Sequence, residues 1–375
     1  MAMFMALVGI ITRSLRATPG RGVLLGTLLL WAAVSRGQAP GTMSDSARIT
    51  WGAYVEPYYA YDLSRPASGD RPSFFYNHTR HNEVNVNLAL VSVGYAADRV
   101  RAELGLMAGT YVAFNMAQEP AALRNIHRAN AGIRLSKERD LWVDIGVFSS
   151  HIGAESAQGL DCMTLTRSLM AENSPYFEAG ARVVYRPSER WLFSGLVLNG
   201  WQRIQRQAGN SAPAFGTQVQ HTPTGSVVLN WSTFYGSDTP DSVGLWRFYN
   251  DLYATVHGTN ESIALGFDMG LQQNAVDPGR TDGWFVMAGI YRRRIVKDWW
   301  GVGRMEYFLD DQGVLLPVEA LVGVSLGVDH DISSMVRWRI EARLLGDTDE
   351  GFRDAEGGPG ATNTAFTTSL CVRLR

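Results

Sequence analysis

Cysteine, lysine and long hydrophobic runs are all scarce in this 375-residue chain. Two cysteines are too few for a disulfide scaffold. Of the 34 basic residues only Lys137 and Lys297 are lysine, and no basic cluster of the kind nucleic acid requires occurs, so no nucleic-acid partner is expected. One apolar run stands out, Val23–Val34. It is too short to cross a bilayer core of about 30 Å as a helix, which takes roughly 20 residues, and no run near that length follows it. Together with a mean hydropathy close to zero, this excludes a bundle of membrane helices. What the chain has in quantity is glycine (39) and aromatics (11 Trp, 14 Tyr, 15 Phe). These suit β-structure, either in a soluble protein or in a membrane barrel.

Arg13, Arg16 and Arg21 precede the apolar run, and no acid occurs before Asp45. A basic region, a short apolar stretch and small residues after it describe a secretory signal. Cleavage after Gly37 places Ser35 at the −3 position. The expected organisation is a signal peptide over 1–37 and one domain over 38–375. Loss of four arginines with the signal takes the formal charge from −2 to −6. Such a product resides in the periplasm, outside the cell or in the outer membrane.

Alternation with period two dominates the rest. Between Met335 and Leu344, Val336, Trp338, Ile340, Ala342 and Leu344 share one face, and Arg337, Arg339, Glu341 and Arg343 the other. A strand separates such sets onto opposite sides of a sheet. Likewise Val84, Val86, Leu88 and Leu90 oppose Asn85 and Asn87, Leu141, Val143, Ile145 and Val147 oppose Asp144, and Ile263, Leu265, Phe267 and Met269 oppose Asp268. Sixteen such segments are expected, starting near residues 49, 82, 100, 126, 141, 175, 191, 215, 226, 245, 262, 283, 299, 317, 335 and 364.

The connections alternate short and long. Short ones, such as 97–99, 187–190 and 296–298, separate long ones, such as 63–81, 149–174 and 346–363. This is the layout of an outer-membrane barrel, with tight periplasmic turns and long external loops. Charges recur on the polar face of nearly every strand, and packing two such faces into a dry core would leave many of them buried at several kcal/mol each. The expected fold is therefore all-β: a transmembrane antiparallel up-and-down barrel of about 16 strands, apolar side outward. Trp51, Trp142, Trp191, Trp201, Trp284, Trp299 and Trp300, with Tyr54, Tyr58 and Tyr59, lie near strand ends and are expected to form interfacial girdles.

The residues also resemble a known family, the β-barrel porin type-2 (OmpL-like) proteins of Gram-negative outer membranes. The stretches that carry the resemblance include Arg80–Tyr111, Asn125–Ser136, Leu141–Ser156, Thr164–Tyr185, Trp191–Ile204 and Asn230–Asp238, and its most specific part is Ser150-His151-Ile152-Gly153 with Thr166-Arg167-Ser168 and Glu172-Asn173-Ser174-Pro175. The resemblance implies a porin: passive diffusion of small hydrophilic solutes across the bacterial outer membrane, with lipid around it and a homotrimer by analogy with other porins. Two departures stand against the family pattern. The chain ends Val372-Arg373-Leu374-Arg375 rather than on an aromatic residue, and Cys162 occupies a loop position where a polar residue is expected.

In sixteen-stranded porins the third long loop folds inward, and here that loop is 149–174. By resemblance it supplies the pore constriction, with His151, Glu155, Asp161, Arg167 and Glu172 as candidates. The facing lumen wall is expected to hold Arg128, Arg134, Asp144, Glu178, Arg182, Arg337, Arg339, Glu341 and Arg343. The alternatives are a plugged barrel with a binding or structural role and a secreted soluble β-protein that binds glycans. His151 and Glu155 lack the further ligands a metal needs, Ser150, His151 and Asp144 form no nucleophile signature, and Cys162 and Cys371 are expected to lie apart. No metal, cofactor or enzymatic activity is expected.

Overall fold

The structure, a computed structural model, describes residues 47–348 and 350–374; the expected signal peptide lies outside them. Fifteen strands follow in order: β1 (Arg48–Asp62), β2 (Val84–Ala96), β3 (Val100–Ala108), β4 (Ile126–Arg134), β5 (Asp140–Ser149), β6 (Phe177–Ser188), β7 (Trp191–Leu198), β8 (Ala214–Thr224), β9 (Val227–Gly236), β10 (Arg247–His257), β11 (Glu261–Gln273), β12 (Thr281–Val296), β13 (Trp299–Leu309), β14 (Ala320–Ser333) and β15 (Val336–Asp347). A two-stranded hairpin in the last long loop, β16 (Phe352–Arg353) and β17 (Pro359–Gly360), precedes β18 (Thr362–Leu374). Apart from that hairpin the strands form one closed antiparallel barrel of sixteen, sealed where β18 pairs with both β15 and β1. Closure satisfies every strand's backbone ladder, which a bilayer demands because it offers no water to an open edge.

The exterior is apolar. In β15, Trp338, Ile340 and Leu344 are exposed while Arg339, Glu341 and Arg343 are buried inside, and in β11 Ile263, Leu265, Phe267 and Met269 are exposed while Asp268 is buried. An outside of this kind needs lipid, so a secreted soluble protein is not what the fold describes.

Two sequence expectations change. Leu88 and Leu90 point into the lumen with Val91 and Val93 outside, although Val84, of the same parity, is exposed. The register slips between Glu56 and Pro57, which leaves Asn87 unpaired, and a bulge of one residue exchanges the faces of a strand. The girdle is also smaller than expected. Trp51 and Trp191 are exposed on the outer surface near the short turns, but Trp142, Trp284, Trp300, Tyr54 and Tyr58 are buried inside, and Trp201 packs on the rings of Phe234 and Tyr249. Trp142 shares the parity of Asp144, so the alternation places it inside.

Candidate functional site

The 150–176 segment, between β5 and β6, runs through the lumen rather than over its rim. Its first residues reach β8 and β9. The His151 ring bonds Glu178 of β6 and the Thr233 carbonyl, both at 2.9 Å, and its own carbonyl accepts from Ser232 at 2.7 Å. The ring sits where Gly216 has no side chain: a Cβ there would lie 2.7 Å from it. The chain then crosses to the opposite wall. Gly159 N–H donates to the Tyr54 hydroxyl of β1 at 2.8 Å, and Asp161 accepts from Arg373 of β18 at 2.7 Å. β9 and β1 lie eight strands apart in a ring of sixteen, so the segment spans the full diameter.

Its return follows β15, β13 and β11. Arg339 donates to the carbonyls of Gly159 (2.8 Å) and Met163 (2.6 Å). Arg304 donates to the Thr166 carbonyl at 2.7 Å, and Glu341 accepts from Thr166 N–H at 3.0 Å. Glu306 accepts from Leu169 N–H at 2.7 Å. Met170 seats on Gly266 of β11, where a Cβ would lie 2.6 Å from its sulfur. Buried backbone groups need partners, and wall arginines and glutamates supply them here. The wall charges are also paired with each other: Arg304 with Glu306 (3.3 Å) and Glu341 (3.1 Å), Arg343 with Glu306 (2.6 Å), and Arg339 with Asp329 (2.8 Å).

The first long loop locks this return in place. Tyr76 N–H and the Asn77 amide donate to Glu172 at 2.7 and 3.1 Å, and His78 bonds Glu56 of β1 at 2.9 Å. Burial pushes Glu172 up to about 7, although the Tyr76 and Asn77 donors favour its carboxylate. Burial opposes the charged form of His151, yet Glu178 outweighs it and raises this imidazole above its ordinary value. Both groups bind their proton more tightly when docked. Their contribution is therefore whole below their ordinary values and is lost as pH rises through the docked ones. Amide protection across 156–176, taken relative to the intrinsic exchange rate at each pH, is expected to be greater at pH 5 than at pH 8. Glu172→Gln should reduce that difference, leaving the part due to His151; equal protection at both pH values in the unmodified protein would contradict the assignment.

With the segment against β11–β15, open space remains along the other wall. A cavity of about 1030 Å³ opens at the short-turn end, lined by residues of β1–β4, β6 and β18 with Gln158 and Asp161 of the segment. A narrower one of about 240 Å³, lined by Met107, Tyr111, Glu155 and Tyr176 among others, shares His127, Arg128 and Asp161 with it. At the long-loop end the interior is packed with apolar side chains, including Phe75, Phe234, Tyr249, Trp284 and Phe308.

A family model described as beta-barrel porin-2, OmpL-like matches residues 48–374. The chain belongs to this family. As a member it is a bacterial outer-membrane porin, a channel for passive diffusion. Among solved structures it is similar to OmpF of Salmonella typhi (10% identity, TM-score 0.60, 88% of this chain and 98% of that one). It is also similar to an anion-selective porin from Comamonas acidovorans (9%, 0.59, 88% and 100%) and to the outer-membrane channel DcaP of Acinetobacter baumannii (7%, 0.59, 88% and 98%). At such identities the likeness is one of fold. No curated protein matches the chain.

The structure divides the candidates of this porin into two groups. Glu155 and Asp161 line the open space, as do Arg128 and Arg182 on the wall. His151, Arg167 and Glu172 do not, because all three are buried in holding the segment. Arg167 spends its guanidinium on the carbonyls of Ser156, Leu165 and Ala157 (2.6, 2.6 and 3.0 Å). Asp144, Glu178, Arg339, Glu341 and Arg343 do face inward but are covered. Arg337 reaches the Leu160 carbonyl at 3.4 Å, and Arg134 is at the short-turn rim, beside Asp98. Cys162 and Cys371 are buried free thiols. Sequence reasoning missed Arg101, Glu103 and Arg373 on the open side and the anchors Arg304 and Glu306. Alternation carried the signal for all five, since each sits on the polar face of its strand.

Proposed function

We propose that this porin passes small hydrophilic solutes along its β1–β6 wall, with the 150–176 segment filling the opposite half and setting the narrowest point. The observation that carries this reading is the pair of adjoining cavities, the second hemmed between Glu155 and Asp161 of the segment and Arg128 of β4. The constriction then has acids on the loop side and the guanidinium of Arg128 on the wall side, with Arg101 and Arg182 in the larger cavity beside it, a transverse field that orients dipolar solutes. Assembly as a homotrimer belongs to the same reading and is supported by a trimer form of Vibrio cholerae OmpT among the structural neighbours.

The apolar packing at the long-loop end favours the rival, a plugged barrel. Swelling of proteoliposomes separates the two. Monosaccharides are expected to enter several-fold faster than trisaccharides. No swelling with either, from protein shown to be folded and inserted, would establish the plug.

A further inference from the structure

The mature charge is negative, but the charges around the larger cavity are not. Arg101 of β3 and Arg182 of β6 share a single carboxylate, the fully buried Asp144, at 2.6 and 3.0 Å. One acid thus offsets two guanidiniums. The other charges on this wall cancel in pairs, Arg128 with Glu103 at 2.7 Å and Arg373 with Asp161 at 2.7 Å. Arg48, also lining the cavity, makes no ion pair with any described residue. The lining, counted with Asp144 behind it, carries an excess of two positive charges.

The two arginines are also held still. Arg101 lies over the Trp142 ring at 4.5 Å and Arg182 over the Phe148 ring at 4.5 Å. Asp144 takes Nε and one terminal nitrogen of Arg101, but only Nε of Arg182. Both terminal nitrogens of Arg182 therefore keep their N–H groups for a solute. The side chains of Arg101 and Arg182 are 29% and 28% exposed, open to the cavity but not immersed in bulk water. A guanidinium fork fixed in this way matches the planar oxygens of a carboxylate or the face of a phosphate.

We infer that Arg101 and Arg182, poised on Asp144, form a small-anion site at the short-turn side of the constriction and make the channel anion-selective. The inference rests on the open path proposed above and names the solutes that path favours: small carboxylates and inorganic anions.

The test is the reversal potential of single channels in a potassium chloride gradient. The unmodified protein is expected to favour chloride. Arg182→Gln should lower the chloride-to-potassium permeability ratio by about twofold, and Asp144→Asn should raise it by a similar factor, since each changes one charge beside the path. Arg101 still pairs with Asp144 in the first variant; in the second, an amide oxygen in the place of Oδ2 still accepts from Arg101 Nη2 and Arg182 Nε, while Arg101 Nε loses its acceptor. Inorganic phosphate added on the short-turn side should reduce chloride current in the unmodified protein and less so in Arg182→Gln. Ion steps with a cation preference, or two variants that leave the ratio unmoved, would overturn the anion site while the channel stands. Absence of any ion steps would overturn both.

Discussion

Replacing residues 157–166 by a short Gly-Ser linker is expected to raise single-channel conductance several-fold while leaving the barrel folded. These ten residues cross the lumen and begin the return along β15 and β13, and their removal opens the space they occupy to water beside the existing cavities. The barrel does not depend on them, because all sixteen strands are bonded edge to edge and the ring closes through β1 and β18. The wall charges they cover stay paired with each other, Arg339 with Asp329 and Arg343 with Glu306, and would gain hydration. Conductance in planar bilayers reads the first effect. The shift in gel mobility between boiled and unboiled samples reads the second, and its persistence is expected.

The second large effect concerns stability. Arg304 is fully buried and serves Glu306, Glu341 and the Thr166 carbonyl together. Arg304→Ala leaves Glu341 without its cation and Glu306 with Arg343 alone. Removing one partner of a buried ion network costs about 3–5 kcal/mol, although water entering the lumen lessens the penalty. The expected result is a clear fall in the urea midpoint of unfolding from micelles, together with a noisier and larger open current as the segment comes loose. Arg304→Ala combined with Glu341→Gln should recover part of the midpoint, because the uncompensated carboxylate is gone. Equal midpoints for the unmodified protein and Arg304→Ala would show that the network holds nothing.

The barrel was legible in the sequence because lipid imposes a rule that repeats in every strand. All sixteen strands begin within about three residues of the expected positions, since alternation and the short-long rhythm of connections both follow from a wall with lipid on one side and polar groups on the other. The bulge at Asn87 was not legible. A single extra residue has no compositional mark, and it moved Leu88 and Leu90 from lipid to lumen. The girdle was overcounted for a different reason. Parity decides the face of a strand residue whatever its distance from the strand end, and Trp142, Trp284 and Trp300 face inward.

The resemblance led to a loop that folds inward, and 150–176 does run through the lumen, but the roles of its residues were not legible. A charged residue in a long loop reads as one that meets solvent, yet Arg167 meets only carbonyls of its own loop. A segment that leaves the sheet and enters a lumen must still satisfy its backbone, and Arg167, Arg304 and Arg339 supply the donors. Which charges remain for solutes depends on which ones the loop consumes, and that is set by a path through space that sequence spacing does not encode.

The most direct test of the central claim, an aqueous path beside a segment that crosses the lumen, is to record single channels of the unmodified protein and of the 157–166 replacement under identical salt and voltage. Discrete small steps from the first and several-fold larger steps from the second are predicted. Steps of equal size from both would place the path elsewhere than beside this segment, and silence from both would mean that the lumen is closed by the packing at the long-loop end.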